Sequence, residues 1–132
     1  MRPMLRAMLN RVLGDRGERA AARQLRRNGL RVLARGYQTP LGEIDLIARD
    51  GDTLVFVEVK TRRWGEPAEA VTPEKQRRLT LTALRFLKEH SLLECHARFD
   101  VVAIVWPDDD SAPAIEHIID AFPAVGKGQM FR

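Results

Sequence analysis

Three apolar-rich runs follow one another between residues 30 and 60, each with the length of a strand rather than a helix. Leu30 to Tyr37 reads as a first strand, Glu43 to Arg49 as a second and Asp52 to Lys60 as a third. Thr39-Pro40-Leu41-Gly42 separates the first two as a turn, with Pro40 set for its second position. Asp50-Gly51, between the second and third, is a strong short-range hairpin signal. Further on, Ala97 to Trp106 is a long apolar run, the pattern of a fourth strand buried on both faces. Ala114 to Ile119 reads as a fifth strand at a sheet edge.

Helical spacing appears in three places. Met4, Leu5, Met8, Leu9, Val12 and Leu13 recur at helical intervals, so residues 1–13 are expected to form a helical extension or a frayed end. Asp15 and Glu18 have the spacing of a capping box, which predicts a helix from Arg16 to Asn28 stopped by Gly29. Its inward face holds Ala21, Ala22 and Leu25; Glu18 either caps the first turn or shares that face and enters a site. Thr72-Pro73-Glu74 supplies an N-cap, a first-turn proline and a first-turn acid, opening a helix to His90 with Leu79, Ala83, Phe86 and Leu87 inward.

Helix, three strands, helix, two strands predicts an α/β domain with a mixed five-stranded sheet flanked by helices. The third and fourth strands, if parallel neighbours, are joined by a right-handed crossover. The expected organisation is an extension at 1–13, a domain at 14–122 and a loose tail at 123–132. Thr61 to Val71, with Gly65 and Pro67, is expected to be a mobile loop exposing Trp64.

Composition narrows the partners. Apolar residues make up 45% and charged residues 30%, a globular balance. The net charge of +4, mostly arginine, suits an acidic partner such as nucleic acid. Cys95 stands alone, which excludes a disulfide framework and a cysteine zinc site. His90, His96 and His117 lack metal-ligand spacing, no window approaches a membrane span, and Arg2, Arg6 and Arg11 interrupt any secretory apolar core. A cytoplasmic location is expected.

The candidate chemistry lies in the hairpin, where Asp45, Glu58 and Lys60 interrupt runs that are otherwise core-like. With Asp50-Gly51 as a two-residue loop, Asp45 faces Phe56 and Glu43 faces Glu58. One face then carries Glu43, Asp45 and Ile47 with Leu54, Phe56, Glu58 and Lys60; the other carries Ile44, Leu46 and Ala48 with Val55, Val57 and Val59 and is apolar. Asp45 and Glu58 become diagonal neighbours roughly 7–8 Å apart, close enough for both carboxylates to meet one Mg²⁺. Lys60 reaches the same space. Metal-assisted phosphodiester hydrolysis needs this set. An Asp45–Lys60 ion pair at the sheet end is the bland alternative.

At Asp45 with Glu58-Val59-Lys60 the sequence resembles the PD-(D/E)xK nuclease superfamily, and within it archaeal Holliday-junction resolvases. From Gly14 to Phe122 it resembles the bacterial YraN family, on the strength of Gly42-Glu43-Ile44-Asp45-Leu46-Ile47, Val55 to Arg62, Lys75-Gln76-Arg77-Arg78-Leu79 and Arg98-Phe99-Asp100-Val101-Val102. The resemblance implies a restriction-endonuclease-like fold and a nuclease acting on DNA. It implies Mg²⁺ or Mn²⁺ held by Asp45, Glu58 and the carbonyl of Val59, with Lys60 catalytic, Glu18 contributed by the first helix and Gln76 approaching from the second. Ile44 stands where the superfamily's motif has proline. Arg62, Arg63 and Trp64 are the candidate nucleic-acid contacts, Trp64 by base stacking. Asp100 is expected to be a structural, hydrogen-bonded residue. Resolvase-like nucleases are often dimers, which makes residues 4–13 a candidate homodimer interface. A catalytically silent nucleic-acid-binding or adaptor protein on the same fold is the alternative function.

Overall fold

The computed structural model describes the backbone of residues 3–64 and 71–124, with side chains from residue 14 onward. Five strands form one sheet in sequence order: β1 (Arg31–Thr39), β2 (Gly42–Asp50), β3 (Thr53–Arg62), β4 (Ala97–Val105) and β5 (Ala114–Phe122). Only β3 and β4 are parallel; the other neighbours are antiparallel. The expected mixed sheet is thus present, and β5 is an edge.

Helices α1 (Pro3–Arg27) and α2 (Pro73–Glu89) serve opposite faces. Ala20, Ala21, Ala22 and Leu25 of α1 pack on Leu46, Ala48, Val55, Val57, Val102 and Ile104. Three alanines keep that side of the helix thin, so it lies close to the sheet at little rotamer cost. Leu79, Ala83, Phe86 and Leu87 of α2 cover Ile47, Phe56, Phe99 and Val101 on the other side. Phe56 meets Phe86 and Phe99 with ring centroids 5.9 Å apart in each case. β4 alternates between the two cores, as a strand buried on both faces must.

Helix α2 starts as its sequence predicts. Thr72 Oγ1 accepts the Lys75 N–H at 3.2 Å, and Pro73 occupies the first turn. Helix α1 differs from expectation: it runs unbroken through Asp15, so Asp15 and Glu18 form no capping box. The turns upstream already supply acceptors for the N–H groups a cap would serve. Asp15 instead accepts from Arg19 one turn later. The helix ends at Asn28-Gly29, where Leu30 N–H reaches Leu25 C=O at 2.9 Å. The side chains of the candidate interface at 4–13, and residues 125–132 of the expected tail, lie outside the described residues, as do 65–70 of the expected loop.

The hairpin corrects the register. Its closing pair is Asp50–Thr53, and its loop is Gly51-Asp52. Gly51 has φ +58°, which suits the first central position of a type II′ turn. Ile47 therefore faces Phe56, where Asp45 was expected, and the paired ladder stops at Leu46–Val57, short of Asp45 and Glu58. Because every partner moves by two, the β3 faces are preserved.

On β2 the expected alternation fails at one place. Ile44 joins the α2 core beside Ile47 instead of the α1 core beside Leu46. The cause lies across the strand. β1 pairs Arg35 with Leu46 and Tyr37 with Ile44, and Gly36 between them has φ +63°. A left-handed residue turns the pleat by half a step, which only glycine does cheaply. Tyr37 and Ile44 both rotate toward α2, and Asp45 is left without a ladder partner on either side.

Candidate functional site

The gap at Asp45 is where the charges collect. The ladder between β2 and β3 ends at Leu46–Val57, and past it the Val59 N–H donates to Asp45 Oδ2 at 2.8 Å. A backbone donor that would serve a neighbouring strand thus holds a carboxylate instead. Glu18 from α1 and Glu43 from β2 close in, so that Glu18, Glu43 and Asp45 each place a carboxylate oxygen within 4.8 Å of the others. Glu58 of β3, outside that trio but near enough for its charge to act on Asp45, is nearly buried, at 6% exposure.

Two of these acids, Asp45 and Glu18, are raised. Burial and then the Glu58 carboxylate push Asp45 up to about 7, Glu18 and Glu43 add to the rise, and the Val59 hydrogen bond opposes it. Burial likewise raises Glu18, with Arg35 opposing and Glu43, Asp15 and Glu58 reinforcing. Two cations border the cluster. Arg35 of β1 lies 3.8 Å from Glu18, and Lys75 of α2 pairs with Glu58. Burial works against the charge on Lys75, but the Glu58 hydrogen bond and the nearby carboxylates outweigh it and hold its pKa high. Beside them opens a cleft of about 400 Å³ whose walls include Glu43, Asp45, Glu58, Glu74, Lys75 and Arg78.

Of the predicted site residues, Glu18, Asp45 and Glu58 come together, with the Val59 amide beside them. Glu43, read from sequence as lying on the site face, belongs to the tightest carboxylate group. Lys60 follows two residues after Glu58, half-buried, and its ammonium makes no ion pair among the described residues, so the alternative of an Asp45–Lys60 pair is absent there. Gln76 does not line the cleft; its amide donates to Val71 C=O at 2.8 Å and ties the start of α2 to the segment before it. Past the end of β3, Arg63 pairs with Asp109 at 3.0 Å, Arg62 is half-buried, and Trp64 is 78% exposed, as expected.

Lys75 is the residue that sequence reasoning missed. Its signal was present: stepping back four residues along the inward positions Leu87, Ala83 and Leu79 lands on Lys75. Asp100 is structural, as expected. It is fully buried and takes hydrogen bonds from Arg98, from His117 at 2.8 Å and from the Asp120 N–H.

The profile described as "Uncharacterised protein family UPF0102" matches residues 17–104. The chain belongs to UPF0102. That span holds every residue of the acid cluster together with Lys60 and Lys75, and ends at β4. A UPF0102 protein of Geobacter sulfurreducens is 51% identical over 116 residues, covering 86% of this chain and 90% of the relative. One from Rhodopirellula baltica is 51% identical over 123 residues, covering 89% of this chain and 74% of its own length. One from Rhodococcus opacus is 51% identical over 116 residues, covering 86% and 98%. Among the described residues of this UPF0102 member, no helix is long and apolar enough to cross a membrane.

Proposed function

We propose that the chain is a Mg²⁺- or Mn²⁺-dependent nuclease that hydrolyses phosphodiester bonds in DNA, branched or repair intermediates among them, in the cytoplasm. The observation that carries this reading is Asp45. A half-buried carboxylate beside three others, its pKa raised to about 7 by burial and their charge, supports a cation site there. The donors are hard oxygens, which suits Mg²⁺ or Mn²⁺ and disfavours softer ions. Asp45 and Glu58 would hold the ion, with Glu18 and Glu43 within reach. In an extended strand a residue's N–H and C=O face the same side, so the Val59 N–H bond to Asp45 supports a role for the Val59 carbonyl too.

Bound there, the ion would polarise a phosphoryl oxygen and acidify a water. The chain's own groups do the rest. The Val59 amide fixes the orientation of Asp45. The ammonium of Lys60, unpaired among the described residues, orients the attacking water and offsets charge developing on the phosphate. Exposed Trp64 stacks on a base of the substrate, with Arg62 and Arg63 beside it on the phosphate backbone.

The test is cleavage of branched, single-stranded and duplex DNA with Mg²⁺ or Mn²⁺ by the wild type, Asp45→Ala and Lys60→Ala. Activity confined to the wild type is expected. Equal activity in all three marks a contaminant and ends the enzyme reading. The Lys75–Glu58 ion pair favours a second reading, a silent nucleic-acid-binding protein whose acid is already neutralised. That protein would bind DNA in a salt-sensitive way in Glu58→Ala and give no heat with Mn²⁺.

A further inference from the structure

Lys75 stands at the boundary between the acid cluster and the open cleft. Its partner Glu58 is 6% exposed, while Lys75 itself is 49% exposed. A nearly buried carboxylate needs a counter-charge, and Lys75 supplies it. The lysine, however, is bound only at its tip and carries a long flexible stem. Its backbone is anchored: Thr72 caps its N–H and Gln76 ties the same turn to Val71. The side chain can therefore leave Glu58 while the helix stays in place.

We propose that Lys75 is an exchangeable phosphate-binding residue. In the metal-free protein its ammonium neutralises Glu58. When a divalent cation takes Glu58, Lys75 turns into the cleft and binds the substrate's phosphate. This rests on the metal-site reading given above. One carboxylate does not keep an ammonium and a dication together, because like charges a few ångströms apart repel by several kcal/mol even at an effective dielectric of about 20. The released ammonium can turn into the cleft of about 400 Å³ that it already lines with Arg78. Lys75 lies in the first turn of α2 and Arg78, which pairs with Glu74 at 3.2 Å, in the second, so the released ammonium adds an unpaired cation to that wall for an anion to meet.

The experiment uses the full chain stripped of metal. Calorimetric titration with MnCl₂ compares wild type, Lys75→Met and Glu58→Gln. Lys75→Met removes the competitor and is expected to bind Mn²⁺ about tenfold more tightly, roughly 1.4 kcal/mol. Glu58→Gln is expected to lose the signal. Fluorescence anisotropy of a labelled DNA duplex is then read in Ca²⁺ and in EDTA. Lys75→Met is expected to lose about tenfold in Ca²⁺ and under twofold in EDTA, where the wild-type ammonium is still engaged by Glu58. Lys75→Gln, which keeps a polar contact to Glu58, replaces Lys75→Met if circular dichroism shows that variant unfolded. Wild-type Mn²⁺ binding that Lys75→Met leaves unchanged or weakens overturns the exchange and leaves the metal site standing. Equal DNA loss in Ca²⁺ and EDTA overturns it also, since Lys75 would then be a plain surface charge. No wild-type Mn²⁺ signal overturns both readings.

Discussion

Replacing Asp45 with asparagine tests the site through stability alone. An ordinary aspartate has a pKa of 3.8, and the folded protein lifts Asp45 to about 7. The folded state therefore binds a proton that the unfolded chain has released, and stability falls as pH rises between those values. Below pH 4 both states are protonated and the penalty is absent. Above pH 7 both are charged and the penalty is complete. The difference is about three pH units at roughly 1.4 kcal/mol each, so about 4 kcal/mol is the ceiling. Solvent enters the cleft and the neighbours relax, so about half of that is expected.

The asparagine side chain of Asp45→Asn imitates the protonated acid and keeps an oxygen for the Val59 N–H. In EDTA, urea unfolding followed by circular dichroism should find wild type and Asp45→Asn equally stable near pH 4. A gap in favour of the variant should open toward pH 7 and then stay constant. At pH 8 a gap of about 2 kcal/mol moves the urea midpoint by roughly 1 M. Adding Mn²⁺ at pH 8 should restore the wild type and leave Asp45→Asn unmoved. Parallel profiles from pH 4 to 8 would refute the crowding argument, and with it the main support for a cation there.

Two further substitutions test what shapes and what steadies the sheet. Gly36→Val places a β-branched residue at φ +63° and should cost about 2 kcal/mol or more while abolishing calorimetric Mn²⁺ binding, because the pleat that frees Asp45 cannot form; unchanged binding would show that Gly36 does not set the gap. Asp100→Ala should cost about 2–3 kcal/mol in urea unfolding at pH 7 by removing the shared acceptor of Arg98 and His117, which among the described residues keep only Asp50 and Asn28, with the deficit shrinking as pH falls and Asp100 in the wild type takes up a proton; a deficit independent of pH would exclude the charge network as its cause.

Much of this fold is legible from spacing. The five strands, the start of α2 at Thr72-Pro73 and its inward stripe follow from periodicity and capping, because each has a local cause. The misread features have non-local ones. Asp15 and Glu18 have the spacing of a cap, but a cap needs a free helix end, and the preceding turns remove it. Asp50-Gly51 suggested its own two-residue loop, whereas Gly51 takes the first central position and Asp50 the closing pair. The flaw was two residues per pair, so the β3 faces survived. Gly36, inside an otherwise ordinary strand run, was the unused signal, since glycine in a strand interior often marks a bulge or bend. Lys75 is not legible from spacing alone, because a lysine at the start of an amphipathic helix is commonly solvated and only the fold brings Glu58 to it.

Asp45 and Asp100 give the closing step, because they are the same side chain in neighbouring regions of one sheet with opposite outcomes. Burial raises both. At Asp100 the His117, Arg98 and Asp120 donors more than offset it and hold the carboxyl below its ordinary value. At Asp45 a single backbone donor faces three carboxylates, and the balance goes the other way. The chain is able to satisfy a buried acid, and among the described residues no buried side-chain nitrogen or oxygen lacks a partner. The crowding at Asp45 is therefore not a general looseness of packing. A fold that neutralises one aspartate from within and surrounds another with like charge concentrates its unfavourable energy at one place, and such a concentration is best explained by a ligand that relieves it. On the function proposed above, a divalent cation would do so at Asp45 and Glu58 at once, with Lys75 giving way.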